Sequence, residues 1–173
     1  MGFPRSTNLA MIGIFALLAF GILARPGHAK IDPETVVGMW LFDEDKGDVA
    51  EDSSGNEHNG SLKGGPKRVD GKFGEALSFD KGEKVEIPIG VGAVMVKTTI
   101  SLWIKFLDLA GQQNYFYLGD SNLGNHLVPY KNAGNEIRFW TNNWDIGSGF
   151  SAKADTWHHV VDVYDGSKAY IYV

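Results

Sequence analysis

The sequence predicts an all-β protein, a two-sheet sandwich or a barrel of short antiparallel strands. Three observations predict it. Short runs rich in β-branched and aromatic residues recur along the chain, as pleated surfaces favour. Clusters of Gly, Asn and Asp separate them, which are turn formers. After the first 30 residues, no stretch of 10 or more keeps a 3.6-residue apolar period, so no amphipathic helix is expected. The 173 residues, 43% hydrophobic and 21% charged, suit one globular domain rather than two full ones. Cysteine is absent, which excludes disulfides, Cys-bound zinc and a thiol nucleophile.

The amino terminus is of another kind. Leu9–Ala24 is an uncharged apolar run, preceded by Arg5 and followed by Arg25, Pro26 and the small residues Gly27 and Ala29. That order predicts a secretory signal helix over residues 1–29, cleaved after Ala29, then a linker over 30–35 and one domain over 36–173. The alternative is an uncleaved anchor, and the membrane would be engaged through that segment alone. Either way the domain is expected outside the cytoplasm, secreted or at the cell surface. The leader holds Arg5 and Arg25 and no acids, so its removal takes the net charge from −5 to −7. An acidic surface repels phosphate backbones, which excludes nucleic acid as the expected partner.

The strand-like runs, in order, are Val36–Phe42, Gly74–Phe79, Lys84–Pro88, Thr99–Phe106, Asn114–Gly119, His126–Tyr130, Glu136–Thr141, Trp157–Tyr164 and Lys168–Val173. In Thr99–Phe106 the alternation is clearest. Ile100, Leu102, Ile104 and Phe106 share one face, and Ser101, Trp103 and Lys105 the other. Asp165-Gly166-Ser167 predicts a hairpin between the last two runs, with Gly166 supplying positive φ. The last run stops at Val173 without a polar tail, so the chain reads as a domain truncated at its C-terminal strands. His158 and His159 are adjacent on a strand and must face opposite ways, one packed and one at the surface.

Two stretches carry a family resemblance. The first contains Gly38-Met-Trp-Leu-Phe-Asp-Glu44, Asp52-Ser-Ser-Gly-Asn56, Asn59-Gly-Ser-Leu62, Val69 to Asp80 and Lys84-Val-Glu-Ile-Pro88. The second contains Ile100-Ser-Leu-Trp-Ile-Lys105, Trp157-His-His-Val-Val161, Tyr164-Asp-Gly166 and Ala169-Tyr-Ile-Tyr-Val173. In this order they resemble the laminin-G-like, concanavalin A-like domains of exported bacterial proteins. The resemblance implies an antiparallel two-sheet jelly-roll sandwich. Trp40, Phe42, Phe79, Trp103 and Trp157 are the expected large fillers between the sheets.

Two regions could carry chemistry. The loop Asp43–Gly60 is rich in carboxylates, and hard cations such as Ca²⁺ take oxygen ligands. Asp52 and Asn56 around a Gly turn, with Glu44 behind them, are the candidate ligands of a structural calcium ion. The other reading is a solvated acidic loop held by an Asx-turn. Sugar binding would use aromatic plates beside amides. Trp144 in its polar loop is the candidate plate, with Asn142, Asn143 and Tyr130 as partners; Trp140 follows Ile137 and Phe139 in a strand and is expected to be buried. No HExxH, GxSxG or P-loop is present, nor the alternating acids of a glycosidase strand. The expected function is a non-catalytic extracellular module that recognises a glycan or an extracellular protein. The alternatives are a structural or adhesive spacer, and an accessory domain of a hydrolase whose catalytic part lies downstream.

Overall fold

The computed structural model describes residues 31–89, 97–120, 125–141 and 144–173, apart from the side chains of residues 120 and 125. The expected leader over 1–29 lies outside the described residues, as do Asn142 and Asn143. The chain divides into two compact units, Met1–Val37 and Gly38–Val173. In the first, a 3-10 turn spans Pro33–Thr35; the Asp32 side chain accepts from the Glu34 N–H at 3.1 Å and Pro33 opens the turn. Among the described residues no helix is long and apolar enough to cross a membrane.

The second unit is built of antiparallel strands. The strands are β1 Val49–Ala50, β2 Gly60–Lys63, β3 Lys67–Asp70, β4 Glu75–Ser78, β5 Lys84–Glu86, β6 Thr98–Lys105, β7 Gln113–Asn114, β8 Leu118–Asp120, β9 Asn125–Lys131, β10 Glu136–Thr141, β11 Asp145–Ser151, β12 Trp157–Tyr164 and β13 Ala169–Tyr172. One sheet has the order β11-β10-β9-β7, with β8 also on β9; a second has β13-β12-β6. A smaller sheet, β1-β2-β5, and the β3-β4 hairpin complete the set.

The two larger sheets enclose the core, as in a jelly-roll sandwich. Phe106, Ile137, Ala152 and Val160 form one buried cluster, with Ile104, Phe150 and Ile171 against it. Leu127 and Phe139 form another, closed by Ile146, Tyr164 and Ile171. The alternation read in β6 holds, with Ile100 buried and Ser101 and Trp103 exposed. The expected aromatic fillers do not make this core. Phe79 is 46% exposed and Trp103 41%, both outside it. Trp103 stacks on His159 with ring centroids 5.0 Å apart, and Phe73 from the β3–β4 turn meets its edge at 5.6 Å. Aliphatic residues with Phe106, Phe139 and Phe150 fill the interior instead.

β10 and β12 occupy the expected ranges. Val36–Phe42 forms no strand, only an isolated bridge between Trp40 and Asp52. The expected strand Asn114–Gly119 is split into β7 and β8, and Pro129 of β9 is the reason. Its carbonyl accepts from the Tyr115 N–H at 3.3 Å, but it has no N–H to return, so the ladder breaks at residues 115–117. The β12–β13 hairpin turns as expected: Gly166 has φ 94°, and Asp165 Oδ1 accepts from the N–H groups of Ser167 and Lys168. His158 is buried and accepts from the Lys153 N–H at 3.2 Å, while His159 lies at the surface.

Candidate ligand-binding face

Alternation on β10 sends Ile137, Phe139 and Thr141 into the core, so Glu136, Arg138 and Trp140 line the outer face. Register adds neighbours to that face: Tyr130 opposite Arg138, Val128 opposite Trp140, and on β11 Gly147 opposite Arg138 and Asp145 opposite Trp140. Arg138 ties them together. Its Nε donates to Asp145 Oδ1 at 3.0 Å, Nη1 to Glu136 Oε2 at 2.7 Å, and Nη2 to the Asp145 carbonyl at 3.1 Å. The Tyr130 hydroxyl donates to Asp145 at 2.9 Å and accepts from Arg138 Nε at 3.2 Å. Hydrogen bonds to Asp145 and then Glu136 push the Arg138 pKa up, fixing its charge. Burial, then the Asp145 hydrogen bond, push the Tyr130 hydroxyl up, so it remains a donor. Gly147 is required here, because a Cβ would strike the Glu136 carboxylate. With Gly149 and two serines it gives β11 the composition of a loop, which is why the sequence reading missed this strand.

Beside this network runs an aromatic ridge. Trp140 is 46% exposed, and the His126 ring meets it edge-to-face at 4.5 Å. His126 in turn lies parallel to Tyr117 at 6.5 Å, and Tyr117 is half exposed. The result is a solvent-facing aromatic surface next to fixed hydrogen-bonding edges. That pairing suits a ligand with one apolar face and a rim of hydroxyl or amide groups.

Of the sequence-predicted sugar residues, Tyr130 lies on this face, and Asn142 and Asn143 lie outside the described residues. Tyr130 is buried and is a hub of the network. Trp144 is 43% exposed, and its carbonyl accepts from the Thr141 N–H at 2.7 Å. Trp140, expected to be buried, is the residue the reading missed. The signal was there: two positions after Arg138 and out of phase with Ile137 and Phe139, it had to face outward.

The acidic loop is held together from within. The Asp52 side chain is fully buried; Oδ1 accepts from the N–H groups of Met39 and Ser54 at 2.9 Å each, and Oδ2 from that of His58 at 3.0 Å. Burial acts to raise the pKa of this carboxyl, but hydrogen bonds from Ser54, Met39 and His58 together outweigh it and hold it well below the usual carboxylate range. Glu44 accepts from Arg68 Nη1 at 2.8 Å and from the Glu51 N–H at 2.7 Å. Asn56 donates to Ser54 Oγ at 3.2 Å. N–H donors point at the oxygens a cation would need, and no group of three acidic, His or Cys side chains converges among the described residues. This arrangement does not fit a calcium ion's shell of 6–8 oxygens.

A two-layer antiparallel sandwich with an aromatic, hydrogen-bonded sheet face open to solvent belongs to the class of jelly-roll β-sandwich domains. Within that class, the laminin G family model of the concanavalin A-like lectin/glucanases superfamily matches residues 79–173, over half of the chain, and the chain belongs to this superfamily. The fold is also similar to a crystal structure of residues 221–444 of an S-layer domain-containing protein from Clostridium thermocellum ATCC 27405. The TM-score is 0.57 at 24% identity, over 78% of this chain and 67% of that one. No curated protein matches the chain.

Proposed function

We propose that this chain is an exported, non-catalytic recognition module that binds a glycan on the outer face of its five-stranded sheet. Trp140 supplies the stacking plate, with Tyr117 extending it, and Asp145, Glu136 and Arg138 supply the polar rim. The observation that carries this reading is the exposure of Trp140 on a regular strand, beside a network that leaves no side chain of the rim free to drift. Superfamily membership and the fold shared with an S-layer domain-containing protein support a cell-surface setting. An acidic composition favours a neutral glycan over an anionic one.

The test is a glycan array read with wild type, Trp140→Ala and Trp144→Ala, each checked for an unchanged melt. Signal lost in Trp140→Ala and kept in Trp144→Ala is expected. Loss in Trp144→Ala alone would move the site to the 141–144 loop with Asn142 and Asn143. No signal from the wild type would leave a structural or adhesive spacer.

A further inference from the structure

The charges on the binding face are unequal. Among the described residues, the outward positions of β9, β10 and β11 present one guanidinium, Arg138, against two carboxylates, Glu136 and Asp145. Every nitrogen of that guanidinium is engaged, Nε and Nη2 at Asp145 and Nη1 at Glu136. Its positive charge is matched inside the network, and one negative charge is left over. Glu136 has its other oxygen on the Gly149 N–H at 3.1 Å. Asp145 is less occupied. Its Oδ1 accepts from Arg138, while Oδ2 has only a share in the single Tyr130 hydroxyl proton, the hydroxyl lying 2.9 Å from both oxygens. The Asp145 side chain is 45% exposed, against 28% for Glu136 and 22% for Arg138. Ionised carboxylates accept hydrogen bonds and cannot donate them, so this part of the rim asks the ligand for donors.

Register puts the surplus charge beside the plate. Trp140 and Asp145 are direct cross-strand partners on β10 and β11, so their side chains leave the sheet about 5 Å apart. Indole and carboxylate are each nearly half exposed. An indole face attracts a cation through its quadrupole, and a neighbouring carboxylate attracts the same cation through its charge. A hydroxyl placed there gains the hydrogen bond alone. A ligand carboxylate or sulfate meets a like charge, because each Arg138 nitrogen is already paired. We propose that this face takes an amino sugar whose amine is unmodified: the ring stacks on Trp140, and the ammonium lies against Asp145 Oδ2. This rests on the glycan-binding reading above, which sets anionic sugars aside on overall charge; the local charge goes further and favours a cationic one. N-acetylation of the amine removes its charge and leaves one N–H donor where the ammonium had three.

The experiment is titration calorimetry in mildly acidic buffer, where the sugar amines carry protons, with β-linked oligomers of glucosamine, N-acetylglucosamine and glucose of equal length. The wild type is expected to bind the glucosamine oligomer about tenfold or more tighter than either of the others. Asp145→Asn keeps an acceptor for Arg138 and Tyr130 but removes the charge. It should cut the preference to about threefold or less while holding the glucose oligomer as the wild type does. Glu57→Gln makes the same change of net charge at an exposed position in the acidic loop and should leave the preference intact. Equal wild-type affinity for the glucosamine and glucose oligomers would overturn the amine assignment and leave a glycan site standing. An equal loss in Glu57→Gln would overturn it as well, since the preference would then be general attraction between an acidic protein and a cationic chain. Binding of none of the oligomers would also overturn it, and the glycan array then decides the broader reading separately.

Discussion

The Asp52 side chain, covered by its own acidic loop, and Asp162, buried between the sheets, are both shielded from solvent, yet their surroundings treat them in opposite ways. Around Asp52 three backbone N–H groups converge, and the carboxylate stays charged and knits the loop. Around Asp162 no backbone N–H converges, and burial raises its pKa to about 7. Shielding of the side chain alone therefore does not set the charge. The supply of donors does, and it follows from local backbone. Asp52 lies where turns leave N–H groups unpaired, whereas Asp162 lies in a strand whose N–H groups are occupied by both neighbours.

The comparison is broken or sharpened by substitution, starting with the core. A carboxyl with a raised folded pKa binds its proton more tightly folded than unfolded, so it weakens the fold as pH climbs from about 4 to about 7, after which the effect levels. At about 1.4 kcal/mol per pH unit, Asp162→Asn should be more stable than wild type by about 4 kcal/mol at pH 8.5, shrinking to under about 1 kcal/mol at pH 4. Urea unfolding across that range measures it; a constant difference would deny the ionised core carboxylate.

Asp52 has the reverse sign. Its lowered pKa contributes stability that is full above the unfolded carboxylate value near 4 and is lost only as pH falls below it. Asp52→Ala leaves three N–H groups without acceptors and should cost about 2–4 kcal/mol at pH 7. A chelator should leave the wild-type melt in place, and a Ca²⁺-dependent rise in melting temperature would show the loop rearranging around a cation. The smallest effect belongs to the binding face. Trp140 is nearly half exposed, so Trp140→Ala should change stability by less than about 1 kcal/mol while abolishing array signal.

Much of the sandwich was legible because its strands follow simple period-2 rules. β10, β12 and the Asp165-Gly166 turn were readable from β-branched runs and a positive-φ glycine. β11 was not, since Gly147 stands where the Glu136 and Arg138 side chains leave no room for a Cβ, a cross-strand demand that no local pattern displays. The split between β7 and β8 was hidden likewise, because the proline that causes it lies on a different strand. Of the sheet face, Tyr130 was named as a partner, and Trp140 was expected to be buried although alternation from Arg138 pointed it outward. Asp162 reads in sequence as one polar residue among valines; only the assembled layers show that no backbone N–H converges on it.

The most direct test is to follow both carboxyl carbons by NMR in one pH titration of ¹³C-labelled protein. Asp162 is expected to titrate near pH 7, while Asp52 remains ionised to the lowest pH at which the fold survives. Midpoints near 4 for both residues would contradict the claim that burial without donors and shielding with donors set these two groups apart.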